Sequence, residues 1–324
     1  MKTLRLSTRW VRSRFVDGAL ILGYHRVAEV SSDSYSICVT PRHFAEQLEV
    51  IRQEAHPITL TALSKGIDER RIPRKAVAVT FDDGYADTLY AAKPLLERHA
   101  VPATVFLVTG NVGQEFWWDE LERTTLSLRP SPDRVSLTLG HVTYSWRVED
   151  SAVNGYRKDR ARLEMLREVH RRLLPLPHAE RERAMSQVRR WQSETFVPEP
   201  NQRCLSPDEI VRLDEEGFIE IGAHSVTHPV LPALPAQEQK TEVESSKSYL
   251  ESLLGKPVKG FSFPNGASSE ESLNVVKASG YQYACTSCND VASNKTDRFL
   301  LPRFWIPDWD GDLFLRWLRL WGTD

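Results

Sequence analysis

The sequence predicts an α/β fold of parallel strands that carries an inserted α+β subdomain, and three observations support this. Short, continuously apolar segments recur along the chain, such as those at 76–81 and 103–108, which is typical of parallel strands buried on both faces. Segments with helical periodicity separate them, as in βαβ units. The pattern is interrupted between residues 112 and 205 by an alternating, then strongly charged, stretch.

The first part of the α/β pattern runs from residue 19 to residue 111. The apolar run at 19–25 predicts a buried strand. Thr40 and Pro41 then provide the N-cap and the first residue of a helix. The remaining elements of this part are a strand at 76–81, a helix over about 86–99 and a strand at 103–108.

The insertion and the second part of the pattern follow. Residues 135–139 and 142–146 alternate around Gly140-His141, which predicts a β-hairpin, and two charged helices are expected at 157–174 and 178–194. The α/β pattern resumes with Ser206 as a helix N-cap. We expect further strands near 217–223, 259–263, 281–286 and 299–305, with helices near 236–254 and 269–279. The sequence thus predicts one α/β domain (19–111 and 206–306) interrupted by a subdomain or lid (112–205).

Composition excludes several classes of protein. The chain has 324 residues, of which 42 are Lys or Arg and 44 are Asp or Glu, so no basic excess points to nucleic acid. With 41% hydrophobic residues, global disorder is excluded, and the chain lacks the ~18 consecutive apolar residues of a transmembrane helix. Its four cysteines are too few for a disulfide framework.

The two ends of the chain differ from the rest. Residues 1–18 are basic, and Arg9, Arg12 and Arg14 interrupt every apolar run that a secretory signal needs, so we expect a cytoplasmic protein. This segment is either a solvated tail or a weak contact with an anionic membrane surface. Residues 307–324 predict an aromatic helix that closes the core or forms a dimer contact, with an interfacial membrane helix as the alternative.

Two polar clusters directly follow predicted strands. One is Asp82-Asp83-Gly84 and the other is His224-Ser-Val-Thr-His228. The carboxyl ends of barrel strands carry catalytic residues, and two histidines with one carboxylate make a catalytic metal site when a coordination position stays open. A second carboxylate is then available as a base. Each cluster alone also suits a turn or two unrelated surface histidines, but their shared position favours one site.

These clusters resemble the polysaccharide deacetylases, the NodB homology group of carbohydrate esterase family 4. The segments Leu22-Gly-Tyr-His-Arg-Val27 and Phe261-Ser-Phe-Pro-Asn-Gly266 strengthen the resemblance, which covers about 19–111 and 206–306. It implies a distorted (β/α)7 barrel and metal-dependent removal of N-acetyl groups from amino sugars.

The resemblance also implies roles for individual residues. Asp82 matches the catalytic base, and Asp83, His224 and His228 match the metal ligands, while Ser225 matches the residue that braces the metal loop. We expect a divalent metal, zinc first, although Co²⁺, Ni²⁺ and Fe²⁺ suit the same ligands.

The chain departs from the family in its third motif, usually Arg-x-Pro-Tyr. Here Ser262 takes the place of the arginine. Arg303 is our candidate to replace that guanidinium and to orient Asp82, with a surface or ion-paired arginine as the alternative. The backbone N–H of Asn265 is assigned to the oxyanion, and Pro264, together with Tyr85 in the first motif, to substrate binding.

The late Leu-x-His motif of the family is also missing, but Ile21-Leu-Gly-Tyr-His25 resembles that strand moved to the front. Some members are circularly permuted in this way, so we assign His25 as the general acid, with a structural histidine as the alternative. Trp117 and Trp118 follow the third strand and are candidates to stack on sugar rings, with packing of the insertion against the barrel as the alternative.

The sequence therefore predicts a cytoplasmic metal-dependent deacetylase that acts on an amino sugar in a polysaccharide, a glycolipid or a sugar precursor. The expected location favours a lipid- or nucleotide-linked substrate. Two alternatives stay open: another C–N hydrolase on the same barrel, such as a deformylase or a cyclic-imide amidohydrolase, and a non-catalytic carbohydrate-binding relative. The oligomeric state is not predicted.

Overall fold

The computed structural model describes residues 18–128, 133–148, 155–192 and 202–321. The described residues form two compact units. One holds the residues up to Gly113 and those from Cys204 onward, and the other spans Gln114–Arg203. The predicted basic segment lies, except for Gly18, outside the described residues.

The strands, numbered in chain order, are β1 Gly18–Tyr24, β2 Arg26–Val27, β3 Cys38–Val39, β4 His56–Pro57, β5 Ala76–Phe81, β6 Ala103–Leu107, β7 Arg134–Leu139, β8 Val142–Arg147, β9 Ile219–Ala223, β10 Gly260–Ser262, β11 Tyr283–Cys285, β12 Ala292–Ser293 and β13 Phe304–Trp305. The α-helices are α1 Pro41–Glu54, α2 Leu60–Asp68, α3 Lys93–Arg98, α4 Trp117–Leu126, α5 Gly155–Leu173, α6 His178–Arg189, α7 Pro207–Asp214, α8 Ala236–Leu254, α9 Glu270–Ala278 and α10 Gly311–Trp321.

The first unit is built on a curled half-barrel sheet. Its parallel strands lie in the order β11, β10, β9, β6, β5, β1 and β13. The short strand β4 pairs with β5, and β12 pairs antiparallel with the start of β1. The predicted barrel-type α/β fold is confirmed.

Strands β1 and β5 are mostly apolar because both faces of the sheet are covered there. Every residue of β1 and of β5 is buried. Successive residues of β1 enter two different hydrophobic clusters, with Leu20 and Leu22 in one and Ala19 and Ile21 in the other. This alternation follows from the two-residue period of a strand.

The helices begin where the sequence predicts caps. The Thr40 hydroxyl accepts a hydrogen bond from the His43 N–H (3.3 Å) at the start of α1. Ser206 and Glu209 form a capping box at the start of α7. Such caps satisfy backbone N–H groups that have no partner within the helix.

Two predicted elements of this unit are shorter or less regular than expected. The predicted helix at 86–99 is a π-helical turn (Thr88–Ala92) followed by α3; Pro94 lacks the N–H that a continuous α-helix would use. Of the predicted strand at 299–305 only Phe304–Trp305 pairs as a strand, with Leu301 making an isolated bridge to Cys285. Pro302 also lacks a backbone N–H and therefore interrupts the hydrogen bonds between the strands here.

Helix α10 packs on the core of this unit. Core closure is the first of the roles that the sequence predicts for this helix. Phe314 and Leu318 are buried in the main cluster. The ring of Phe304 contacts Trp317 and Trp321 at centroid distances of 5.3 and 4.9 Å. Among the described residues, no helix combines the length and apolar character that crossing a membrane requires.

The second unit contains the predicted hairpin, β7 and β8, which pair antiparallel around Gly140. Helices α4, α5 and α6 accompany it. The predicted helix at 178–194 ends earlier, at Arg189. The buried Arg162 side chain donates hydrogen bonds to the carbonyls of Leu126 (2.7 Å) and Leu128 (3.1 Å), which fastens α5 to the end of α4.

Candidate metal and catalytic site

The predicted site residues of the first unit gather at one end of the sheet. Asp82 and Asp83 follow β5, His224 follows β9, and His25 follows β1. Arg303 directly precedes β13. Because β1, β5 and β9 are parallel, their carboxyl ends lie at the same edge, where barrel enzymes place their catalytic groups. Arg303 reaches this edge from the start of β13, because β13 pairs with Leu22 and Gly23 near the end of β1.

Three of these side chains are arranged to hold a metal ion. Asp83 Oδ1 lies 3.7 Å from His224 Nε2 and 3.6 Å from His228 Nε2, and the three ligand atoms all lie within 4.8 Å of one another. Donor atoms around a tetrahedral Zn²⁺ lie ~3.3 Å apart, given bond lengths of ~2.0–2.1 Å. The donor set and its spacing therefore fit a divalent metal of the zinc type.

His224 is oriented for ligation by its second ring nitrogen. Its Nδ1 donates a hydrogen bond to the Ser262 carbonyl (2.7 Å), which leaves Nε2 unprotonated and directed at Asp83. Burial lowers the pKa of His224, with the Arg303 charge acting in the same direction, against the opposing effects of Asp82 and the Ser262 carbonyl. The imidazole is therefore neutral, the form that binds metals.

The backbone around the ligands is held in unusual conformations. Asp83, Ser225 and His228 have φ values of +72°, +65° and +54°, a left-handed region that costs energy for residues other than glycine. The Ser225 hydroxyl accepts a hydrogen bond from the His228 N–H (3.0 Å). Ser225 thus occupies the bracing position expected from the sequence.

The sequence did not single out Glu242, which holds the same loop from helix α8. Its Oε2 accepts hydrogen bonds from the N–H groups of Val226 and Thr227, both 2.8 Å, and its Oε1 accepts one from the Thr227 hydroxyl, 2.7 Å. No sequence signal distinguishes Glu242 from the other acidic residues of this polar helix.

Asp82 and Arg303 form a buried, two-pronged ion pair. Arg303 Nη1 and Nη2 lie 2.7 Å from Asp82 Oδ1 and Oδ2, and neither side chain is more than 3% exposed. The Ser262 hydroxyl donates to Asp82 Oδ2 (3.1 Å) and accepts from Arg303 Nη2 (2.9 Å). Ser262 thus connects two parts of the site. Its carbonyl binds the candidate metal ligand His224, and its hydroxyl binds both members of the Asp82–Arg303 pair.

This pairing keeps Asp82 ionised. Burial raises the pKa of Asp82, but the Arg303 guanidinium outweighs it, with His224 and His25 adding to the effect, and holds the pKa well below its usual range. A carboxylate has about four acceptor positions. Arg303 Nη2 and the Ser262 hydroxyl fill both positions of Oδ2, and Arg303 Nη1 fills one position of Oδ1. Among the described residues, the position left for a proton donor is therefore on Oδ1. The carboxylate lies next to the candidate metal ligands, with Oδ2 3.6 Å from His224 Nε2.

His25 lies against the ring of Trp305, parallel to it at a centroid distance of 4.3 Å. The residues on either side of it are anchored in the core. The Tyr24 hydroxyl donates to Gln47 (2.9 Å), and the Arg26 side chain donates to Asp87 (2.8 Å). Burial lowers the pKa of His25 to about 4, with Arg303 and His224 acting in the same direction and Asp82 opposing them. The imidazole is therefore uncharged at neutral pH.

His25 and Asn265 line one pocket of about 380 Å³. Asn265 is exposed there and has a left-handed φ of +57°, whereas Pro264 is buried. Gly266 follows with φ +64°, and a Cβ on it would lie 2.4 Å from the Ser287 side chain, so the turn requires glycine. The remaining lining residues are Gly23, Tyr24, Tyr35, Ser36, Ile37, Ser287, Trp305 and Ile306.

Three predicted substrate-binding residues are not among the residues that line this pocket. Tyr85 is fully buried, and the Arg26 guanidinium lies 4.6 Å from the centre of its ring, so its ring supports the site from the interior. Trp117 and Trp118 belong to the second unit and are only 6% and 7% exposed. Trp117 stacks on His170 and Trp118 on Phe116. Substrate contacts by these residues stay predictions.

Sequence comparison adds independent information. A family model described as polysaccharide deacetylase matches residues 69–130 and 158–284, and thus extends into the insertion. YxkH of Bacillus subtilis (strain 168), assigned to the polysaccharide deacetylases, is 19% identical over 312 residues, which are 95% of this chain and 78% of YxkH. The poly-β-1,6-N-acetyl-D-glucosamine N-deacetylase of Staphylococcus aureus (strain N315) is 29% identical over 113 residues, only 31% of this chain and 39% of that protein.

Solved structures resemble the whole fold. IcaB from Ammonifex degensii matches with a TM-score of 0.62 at 18% identity, over 95% of this chain and 98% of that chain. The Streptococcus pyogenes deacetylase PplD matches with a TM-score of 0.60 at 17% identity, over 93% of this chain and 98% of that chain. At these identities the likeness establishes the architecture alone.

Proposed function

The chain belongs to the polysaccharide deacetylase family, and from this we propose that it is a metal-dependent hydrolase that removes N-acetyl groups from an amino sugar. One observation carries the proposal. A buried carboxylate kept ionised by Arg303 lies beside three metal-type ligands, with Asp82 Oδ2 3.6 Å from His224 Nε2. A binding protein would have no use for such a base next to a metal.

Asp83, His224 and His228 would hold the metal, with zinc as the first candidate and Co²⁺, Ni²⁺ and Fe²⁺ as alternatives. When bound, the metal polarises the acetamide carbonyl and makes a neighbouring water more acidic. Asp82 accepts the proton of the attacking water at its remaining acceptor position. The Asn265 N–H, at the rim of the pocket, stabilises the negative charge that develops on the carbonyl oxygen.

His25 serves as the general acid in this scheme. An amine leaves poorly unless it is protonated, so a donor must be within reach of the nitrogen. Because its pKa is lowered to about 4, His25 rests uncharged. As negative charge develops nearby, it takes a proton from solvent in the pocket that it lines and passes this proton to the leaving nitrogen. Strand β1, which directly precedes His25, lies between β5 and the late strand β13. This position supports the interpretation that a strand found late in other family members stands at the front of this chain.

Arg303 takes over the task of the missing family arginine. A serine at position 262 leaves room for a guanidinium that arrives from a different strand, and Ser262 hydrogen-bonds to it. The ion pair with Asp82 then fixes the orientation of the base. Arg303 is accordingly a positioning residue.

For the substrate we propose an N-acetylglucosamine-containing glycan. The Staphylococcus aureus relative acts, by its name, on poly-β-1,6-N-acetyl-D-glucosamine, which makes β-1,6-linked oligomers the first substrate to test. A lipid- or nucleotide-linked sugar and a cytoplasmic location stay predictions of the sequence.

The test compares three substrate types with metal-loaded protein: N-acetylated glucosamine oligomers, their N-formyl analogues and a cyclic imide. Mass spectrometry follows the products. We expect acetate release from the oligomers, reduced ~10²–10⁴-fold in Asp82→Asn. Turnover of only the formyl or imide substrate would favour the other C–N hydrolases, and binding without any turnover would favour the non-catalytic relative.

A further inference from the structure

We propose that Glu242 is a positioning residue that sets the metal affinity of this protein by holding the loop between the two metal-binding histidines. The inference rests on the metal site of the proposed function. It concerns a side chain that touches no metal ligand directly and lies on a different element, helix α8.

The loop from His224 to His228 must keep two imidazoles converging on Asp83 while its backbone adopts costly conformations. Ser225 and His228 both have left-handed φ values. Without outside contacts, such a loop would relax toward ordinary backbone angles, and the imidazoles would separate. The structure therefore needs a rigid frame around the loop.

The frame has two sides. On one side, the N–H groups of Thr109 and Gly110 donate to the carbonyls of Ser225 (3.2 Å) and Val226 (2.8 Å). A Cβ at position 110 would lie 2.6 Å from the Val226 oxygen, so this approach requires glycine. These contacts engage only the carbonyl groups of the loop.

Glu242 provides the other side, because its carboxylate binds the N–H groups. Two of its three hydrogen bonds reach the backbone at Val226 and Thr227, both 2.8 Å. The third binds the Thr227 hydroxyl. Hydrogen bonds to an ionised acceptor are about twice as strong as neutral ones. One carboxylate thus fixes both amide groups at the middle of the loop.

The chemistry of the three bonds predicts how substitutions differ. In Glu242→Gln, the amide oxygen still accepts both backbone N–H groups, and the amide NH₂ donates to the Thr227 hydroxyl, which reverses its role. In Glu242→Ala, all three bonds are lost. Glu244 on the same helix is the matched control, because its one ion pair among the described residues is with Lys240, at 3.8 Å.

The experiment measures Zn²⁺ affinity by calorimetry and the visible spectrum of the Co²⁺-loaded protein, both without substrate. Loss of an outer contact to a metal ligand costs ~10–100-fold in affinity. We expect at least a tenfold loss and an altered Co²⁺ spectrum for Glu242→Ala, a smaller loss for Glu242→Gln, and no change for Glu244→Ala. Wild-type affinity and spectrum in Glu242→Ala would overturn the proposal.

A second variant covers the case in which Glu242→Ala does not fold. Thr227→Val removes only the side-chain bond and keeps both backbone bonds. We expect a smaller loss of Zn²⁺ affinity in the same direction, and normal affinity in Thr227→Val would then count against the proposal. Since no substrate is present, these results are independent of deacetylation: a protein that binds metal through this loop but releases no acetate would contradict the proposed function alone.

Discussion

Replacing Arg303 with methionine is the sharpest test of whether the buried ion pair keeps Asp82 in its charged form. Methionine keeps an apolar chain of similar length but removes both hydrogen bonds to Asp82. The Asp82 carboxylate, 3% exposed, then lacks its counter-charge. Breaking a buried pair by removing one partner costs about 3–5 kcal/mol, because an uncompensated charge stays inside. We expect the variant to lose that much unfolding free energy at pH 7.

The loss should depend on pH in a defined direction. In the wild-type protein the pKa of Asp82 is lowered from 3.8, so its contribution to stability is present above that pH and is lost only as the pH falls through the folded-state value. In Arg303→Met the guanidinium no longer outweighs burial, and we expect burial to raise the pKa of Asp82. The neutral carboxyl then contributes stability at low pH that is lost as the pH rises through the raised pKa. The difference in unfolding free energy between the wild-type protein and Arg303→Met is therefore smaller at pH 4 than at pH 7.

Urea unfolding of both proteins at pH 7 and pH 4, with a chelator present, measures this difference. Equal stability at pH 7, or a difference that widens at pH 4, would refute the assigned role of Arg303. The double variant Ser262→Arg/Arg303→Met returns a guanidinium from the position that the family uses. It should recover part of the turnover that Arg303→Met loses, and full activity of Arg303→Met alone would also contradict the account.

Three further results are expected. His25→Ala should lower amide turnover strongly but spare a phenyl acetate ester, whose leaving group needs no proton; equal losses on both would make His25 structural. Asp82→Asn should keep bound metal while Asp83→Asn loses it, and elemental analysis showing the reverse would exchange their roles. Gln47→Leu removes the hydrogen bonds that Gln47 makes with the Tyr24 hydroxyl and the Trp309 carbonyl, and each group left unsatisfied costs ~1–3 kcal/mol. It should therefore lower the melting temperature without changing metal affinity, and an unchanged melting temperature would contradict this.

The fold was predictable to the extent that it depends on local apolar pattern and caps. The strands at 76–81 and 103–108 are continuously apolar because the sheet is covered on both faces, and Thr40 and Ser206 cap helices as their positions indicate. Proline limits such predictions, since Pro302 shortens a predicted strand by removing a backbone donor.

The candidate metal ligands and Asp82 were recognisable because their residue types are unusual directly after apolar strands. The contacts that organise them were harder to find, because they depend on tertiary proximity. In the sequence, Ser262 is noticeable only because it stands where the family has an arginine. In the structure its carbonyl binds His224 and its hydroxyl binds Asp82 and Arg303. Glu242 lies on a polar helix, where a glutamate that binds a loop cannot be told from one that binds water. The rings of Trp117 and Trp118 stack on His170 and Phe116, and their contact with a sugar stays a prediction.

The most direct test of the central claim is a metal titration followed by acetate release. Metal-free protein is given increasing Zn²⁺, and acetate from a β-1,6-linked N-acetylglucosamine oligomer is measured at each step. The account predicts that the rate rises in proportion to added metal, levels off at about one ion per chain, as expected for one three-ligand site, and is absent in His224→Ala. Acetate release that is independent of metal, or that persists in His224→Ala, would contradict it.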